Sequence, residues 1–164
     1  MKTKLEYVPE KCACCNQSTT YVLAIDRGTV HILKQIARFI GKKGINAVHP
    51  RKEMEGTMLS SNDVGNLSRV RFHGLIARVK DNPGNYLLTK KGAAFLRGGL
   101  IPRFAIISKA EGHQIGYLKP EDYSCTVHDF TSDTEYWEGI NYDISEGRIV
   151  RELPMQVRQL ELTS

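Results

Sequence analysis

The stretch LSSNDVGNLSRVRFHGLIARV, residues 59–79, holds two periodicities in succession. Its first part opens with Ser60, Ser61 or Asn62 as a helix N-cap and closes at Gly74, a C-terminal stop. At roughly 100° per residue, Val64, Leu67, Val70 and Leu75 fall in one arc. Asn62, Asn66, Arg69 and His73, spaced i, i+4, i+7 and i+11, share about 60° of the opposite side. The pattern predicts an amphipathic helix over residues 60–73 whose outer stripe is made of donors and acceptors, with Asp63 at its flank near the cap. Asn and Arg are the side chains that pair bidentately with adenine and guanine edges in the major groove of DNA. Arg71 falls in the apolar arc, where its stem can cover core while the head reaches out. A solvated face of any small domain is the plainer alternative.

Working outward, residues 76–79 read as a strand, Asp81-Asn82-Pro83-Gly84-Asn85 as a turn, residues 86–89 as the returning strand and residues 90–96 as a further helix. Upstream, STTYVLAI is a short extended piece, followed by a helix capped at Asp26 or Thr29 and running to about Ile40, with Gly41 and Gly44 as stop signals. Val30, Leu33, Ile36, Ala37 and Ile40 form its core side, widened by Ile32 and Phe39. His31, Lys34, Gln35, Arg38 and Lys42 form a basic outer side on which His31 is a surface residue. Between these, Pro50 suits the first position of a short helix over residues 51–58, and His49 before it reads as a packing or capping residue. Helix, helix, helix, hairpin is the order of a winged helix-turn-helix.

The segments NLSRVRFHGLI and YLLTKKGAAFL resemble those of winged-helix transcriptional regulators, in which a recognition helix ends in a "GLI" strand entry and the wing returns through an "LT-x-x-G" turn. The likeness covers residues 26–97. A wider one, spanning most of the chain, is to small winged-helix proteins of phages and prophages. These open with a CPxCG-like knuckle, continue to a "KLRYWGLI" helix and a "T-x-x-G-x-x-FL-x-G" turn, and follow with a Pro-led strand. The matching pieces here are Cys12-Ala13-Cys14-Cys15, residues 68–76, residues 89–98 and Ile101-Pro102-Arg103-Phe104, with Ala13 and Asn16 where that pattern has Pro and Gly. The resemblance implies that the helix over residues 60–73 lies in the major groove of double-stranded DNA. Asn62, Asn66, Arg69 and His73 would then face base edges, while Lys80, Asn82 and Asn85 of the wing meet backbone or minor groove. Lys34 and Arg38, with Lys42 and Lys43, would add phosphate contacts, and affinity would fall steeply with salt. A transcriptional regulator in the cytoplasm, that of the host if the chain is phage-encoded, is the implied role. Turn chemistry alone also accounts for the asparagines of the wing.

Charge divides the chain along the same line. Residues 1–110 carry 19 Lys+Arg against 7 Asp+Glu, residues 111–147 carry 1 against 9, and residues 148–164 carry 3 against 2. A basic front suggests a polyanionic partner. The acidic segment supports a rival reading that keeps the fold and drops the DNA: a protein-docking winged helix, acting as an inhibitor of a host protein of nucleic-acid machinery, with the acidic part mimicking nucleic acid or covering the basic face. Apolar residues make up 41% of the chain, and no apolar run approaches the roughly 18 residues of a membrane span, so a soluble intracellular protein without membrane partner is expected. The fold class expected is α+β: a cysteine knuckle over residues 1–25, the winged helix over 26–100, an acidic antiparallel β module over 101–150 and a tail over 151–164. In the module, residues 103–108 and 113–118 form a hairpin turning at Ala110-Glu111-Gly112, and YSCTVHDF and EYWEGINYDI read as further strands that pack on the winged helix or serve a homodimer. Trp137 reads as core or interface.

No phosphate-cradling glycine motif, GxSxG elbow or HExxH is present, and an enzyme is not expected. The metal question centres on KCACCNQ, residues 11–17. Cys12 and Cys15 have the C-x-x-C spacing that lets both sulfurs reach one tetrahedral zinc at about 2.3 Å. Cys125 and His128, in C-T-V-H, offer the same gap and would complete a structural zinc site if a local turn replaced the strand there, because residues three apart on a strand face opposite ways. Cys14, His49 or a second protomer's knuckle are alternatives, and an unmetallated loop is the plain one.

Overall fold

A computed structural model describes Pro9, residues 11–131, and the backbone of residues 140–143 and 148–151. The chain is α+β, with several helices and antiparallel sheets. Strand β1 (Thr20–Ala24) leads to α1 (Arg27–Lys43). Asp26 caps α1 from an extended conformation, its carboxylate accepting the Thr29 amide at 2.8 Å and the Thr29 hydroxyl at 2.9 Å. Val30, Ile32, Leu33, Ile36, Ala37 and Ile40 are buried along its inner side. The helix passes the expected stop at Gly41 and ends at Gly44, in the left-handed region at φ 65°. A mid-helix glycine costs only about 1 kcal/mol, and the left-handed Gly44, whose amide donates to the Ile40 carbonyl, supplies the C-cap.

Helix α2 is one turn, Pro50–Glu53, capped by the His49 ring nitrogen Nδ1 accepting from the Lys52 amide. It stops short of Met58 because the Met54 carbonyl gathers the amides of Thr57, Met58 and Leu59 into a turn that buries Met54 and Leu59. The expected helix over 60–73 forms as two pieces, α3 (Ser61–Gly65) and α4 (Leu67–Phe72). Strands β2 (Ile76–Arg78) and β3 (Tyr86–Leu88) make the hairpin, and Val48 bridges Tyr86 on its outer edge through reciprocal amide–carbonyl bonds.

Helix α5 (Lys90–Leu96) follows, with Thr89 as its cap. The Thr89 hydroxyl accepts from the Gly92 amide and donates to the Gly74 carbonyl, so the end of one helix and the start of another are tied through one side chain.

Residues 101–131 fold back on this unit. Strand β4 (Ile101–Pro102) precedes β5 (Phe104–Ser108), which forms the expected hairpin with β6 (His113–Tyr117). Strand β5 also pairs along its other edge with β1, in register from Thr20 opposite Ser108 to Ala24 opposite Phe104. β4 pairs with β7 (Ser124–Cys125), where YSCTVHDF leaves the extended state: Thr126 caps a short 3-10 turn, Val127–Asp129, through a reciprocal capping box with Asp129. One core joins Leu33, Ile36, Leu75 and Phe95 of the helical unit to Ile101, Cys125 and Val127 of the later segment. Within the second expected strand, β8 (Ile140–Asp143) pairs with β9 (Arg148–Arg151). Trp137 and the tail lie outside the described residues.

Candidate nucleic-acid interface and thiol turn

The α3–α4 pair begins with a full capping box: the Ser60 hydroxyl accepts from the Asp63 amide at 3.1 Å and the Asp63 carboxylate from the Ser60 amide at 3.0 Å. The helical run breaks at Asn66, with φ −102° and ψ 11°, and the Asn66 side-chain amide donates to the Asn62 carbonyl at 2.9 Å. That bond gives the carbonyl a partner where the helical ladder has lost one. Asn62, Asn66 and Arg69 still come together. They line a shallow cleft whose opposite wall is the start of α1, from Asp26 through Gly28 and Thr29 to Ile32.

This cleft is not free of carboxylates. Arg69 Nη2 stands 3.2 Å from Asp26 Oδ2, with both side chains about half exposed, and His31 Nε2 stands 3.6 Å from Asp63 Oδ2. Burial raises the Asp26 carboxyl, but the Thr29 amide and hydroxyl, helped by Arg69 and His73, outweigh it and hold the group below its ordinary range. At neutral pH Asp26 is therefore an anion beside the guanidinium expected to meet a base.

His73 does not belong to the outer stripe. Its exposure is 0%, and neither ring nitrogen completes a well-formed hydrogen bond, although the Ala24 carbonyl faces the ring. Burial drives its pKa down to about 4, with Lys91 and Arg69 adding to the effect and the Ala24 carbonyl and Asp26 opposing it. The correction has a physical cause. Helical angles carried across the break at Asn66 lose their meaning, and β1, held in place by β5, brings Ala24 to the end of α4. Lys34 is also not simply outward, since its ammonium donates to the Thr131 hydroxyl at 3.3 Å; Arg38 is half-buried.

In the hairpin turn Lys80 and Asn82 are exposed and Asn85 is half-buried, its carbonyl taking the Val79 amide at 2.9 Å. The turn does not stand away from the body. Gly84 lies so close to the His49 ring that a Cβ there would sit 2.3 Å from Nε2. As a result α2, α3–α4 and the hairpin turn surround one hollow, lined by Arg51, Val64, Leu67, Gly84 and Tyr86. Exposed cations that the sequence reading passed over stand on these elements: Arg51, which pairs with Glu55 at 3.4 Å, Lys52, and Arg78. Strand alternation puts Arg78 on the same face as buried Ile76 and gave no signal for its exposure, which comes at the last residue of β2. Arg71 is half-buried rather than fully outward. Its guanidinium lies 4.6 Å over the Phe72 ring, and burial, then Arg78, disfavour its charged form.

At the N-terminus a bridge between Lys11 and Ser18 closes a tight turn. The Cys12 amide donates to the Gln17 carbonyl at 2.7 Å and the Asn16 amide to the Cys12 carbonyl at 2.9 Å. Asn16 takes φ 57°, the left-handed conformation for which asparagine is the best substitute for glycine. The thiols of Cys12, Cys14 and Cys15 gather within 4.8 Å of one another, so this group could hold a metal ion. Cys12 and Cys14 sulfurs are 2.9 Å apart. The Cys14 thiol, then the amides of Cys14 and Cys15, favour the thiolate of Cys12 and bring its pKa to about 6, while the contact with Cys12, then burial, raises Cys14.

The expected partners of Cys12 and Cys15 are elsewhere. Cys125 is buried in the main core, and burial pushes its thiol up to about 11, with Arg103 opposing and Asp129 adding. His128 is exposed on the 3-10 turn, its ring against Gly98. The local turn that C-T-V-H needed is present, but it leaves Cys125 in the core and His128 outside it. Among the described residues the one group of three or more clustered ligands is Cys12, Cys14 and Cys15.

No family model, no characterised protein and no solved structure matches the chain. Among the described residues no helix is long and apolar enough to cross a membrane.

Proposed function

We propose that residues 26–100 form a winged helix-turn-helix that binds double-stranded DNA, with α3–α4 as the reading element, the turn over residues 81–85 as a short wing, and transcriptional regulation as the role. The observation that carries this reading is the meeting of α2, α3–α4 and the hairpin turn around one hollow, with exposed Arg51, Lys52, Arg78 and Lys80 on those same elements. Asn62 and Arg69 are the side chains whose chemistry reads bases. The cations supply the sequence-independent attraction to phosphate. Zinc at the N-terminal turn would stiffen that turn and take no part in DNA contact.

The ion pair between Arg69 and Asp26 gives the reading a sharp test. Asparagine caps a helix as well as aspartate does, so Asp26→Asn removes the anion and keeps α1. In a salt-titrated assay on random duplex DNA, Asp26→Asn is expected to bind several-fold more tightly than wild type. Arg69→Ala is expected to bind roughly tenfold or more weakly, the loss of one good base or phosphate contact. The double change Arg78→Ala with Lys80→Ala should lower the salt slope by about two, one per lost phosphate contact. If the folded wild-type protein shows no binding at low salt, or if Arg69→Ala binds as wild type does, the DNA reading is wrong and a protein-docking role takes its place.

A further inference from the structure

We propose that Cys12, Cys14 and Cys15 bind one zinc ion as a three-thiolate set, with the fourth coordination position filled by something other than a cysteine or histidine of this chain. The proposal stands apart from DNA binding and survives its failure.

The sulfurs are close to the required spacing. A tetrahedral zinc with bonds of about 2.3 Å places its sulfurs about 3.8 Å apart. The three thiols lie within 4.8 Å of one another, and Cys12 and Cys14 have to open from 2.9 Å by less than the diameter of an atom. Both main-chain bonds that close the turn leave the side chains out, so a change of side-chain rotamer on this exposed loop suffices. Cys14, which a C-x-x-C reading treats as a spare, is therefore a ligand.

A count of soft ligands then fixes what is missing. The chain has 4 cysteines and 5 histidines, and every one lies among the described residues. Cys125 is enclosed in the core. His31 faces Asp63, His49 packs on Gly84, His113 pairs with Glu111 at 3.2 Å, His128 packs on Gly98, and His73 is buried. None joins the thiols. A closed structural site of four cysteine or histidine ligands cannot be completed within one chain. Zinc bound here keeps an exchangeable position for water, a carboxylate or an exogenous ligand, the arrangement found in open rather than closed zinc sites.

The experiment uses the full chain, stripped with a chelator and reloaded. Zinc is expected to bind at one ion per chain and to shield three thiols from an alkylating reagent, with Cys125 unreactive throughout. Cys12→Ser, Cys14→Ser and Cys15→Ser should each weaken zinc by at least about a hundredfold, the upper end of what loss of a mere outer-shell partner costs, while His128→Ala and Cys125→Ala bind as wild type does. In the cobalt(II)-loaded protein, added imidazole should shift the visible bands by entering the open position. Wild-type affinity in Cys14→Ser, loss of zinc in His128→Ala, or a cobalt spectrum indifferent to imidazole would each overturn the proposal, as would copper(I) binding with no zinc binding at all. Should Cys125→Ala fail to fold, the surface change His128→Ala decides the same point.

Discussion

Gly92→Ala destabilises the protein by about 2–3 kcal/mol, the upper part of the range of an overpacked core site. The result runs against propensity, since alanine in place of glycine within a helix ordinarily contributes up to about 1 kcal/mol. Gly92 is buried in the first turn of α5, and a Cβ there would sit 2.2 Å from the Leu75 carbonyl oxygen and 2.9 Å from a Leu88 methyl. The carbonyl cannot step aside cheaply. It accepts the Thr89 amide at 3.2 Å, and Thr89 is in turn bonded to Gly74 and to Gly92 itself. Relief of the clash therefore moves α5 away from the hairpin and opens the core around Leu75, Leu88 and Phe95. Gly41→Ala is the control. A Cβ at that position of α1 meets nothing within 4 Å, so the same substitution there should raise stability by about 0.5–1 kcal/mol. Urea midpoints of the two variants against wild type test the pair, and equal or higher stability of Gly92→Ala would show that α5 does not seat on Leu75.

That seat is the part of the fold most legible in the sequence. Thr89 and Gly92 were recognisable as a motif, and the structure gives it a physical basis: a cap that also grips the preceding turn, and a glycine required by close approach of backbone. Helix α1 was legible for a related reason, since Asp26 and Gly44 are local signals and its apolar side repeats at the helical period. What remained hidden was non-local. Nothing in TYVLA announces that it pairs with β5, more than eighty residues away. Because β1 goes there, the end of α4 is covered and His73 is buried. The interrupted helix was half-visible, as Gly65 and Asn66 are both weak helix formers, yet the apolar period of Val64, Leu67 and Val70 runs straight through them and masks the break. The thiol turn was legible as a ligand cluster: C-x-x-C spacing picks out Cys12 and Cys15, and the structure brings the Cys14 thiol within 4.8 Å of both.

Lowering the pH from 6.5 to 4 removes about 3 kcal/mol of stability through His73 alone. The folded protein holds this ring neutral, with its pKa near 4 against an ordinary 6.5, so between those values the unfolded chain takes up the proton more readily. Stability therefore falls as the pH drops through that window and is level above it. By linkage the loss reaches about 2 kcal/mol at pH 5. The groups facing His73 do not change this sign. Burial is the main cause, and Lys91 and Arg69 repel the charged ring, while Asp26, the one nearby anion, attracts it without prevailing. The Asp26 carboxyl is itself held below its ordinary 3.8, so its contribution is lost only at lower pH, in a separate window. Unfolding by urea at pH 7, 6, 5 and 4.5 measures the slope, and His73→Leu supplies the comparison. The contact of the ring with the Ala24 carbonyl falls short of a well-formed hydrogen bond, so an apolar side chain of similar volume gives up little there and should flatten the profile between pH 6.5 and 5. A wild-type profile that is flat there, or a His73→Leu profile that keeps the wild-type slope, would mean that His73 is not enclosed beneath Ala24.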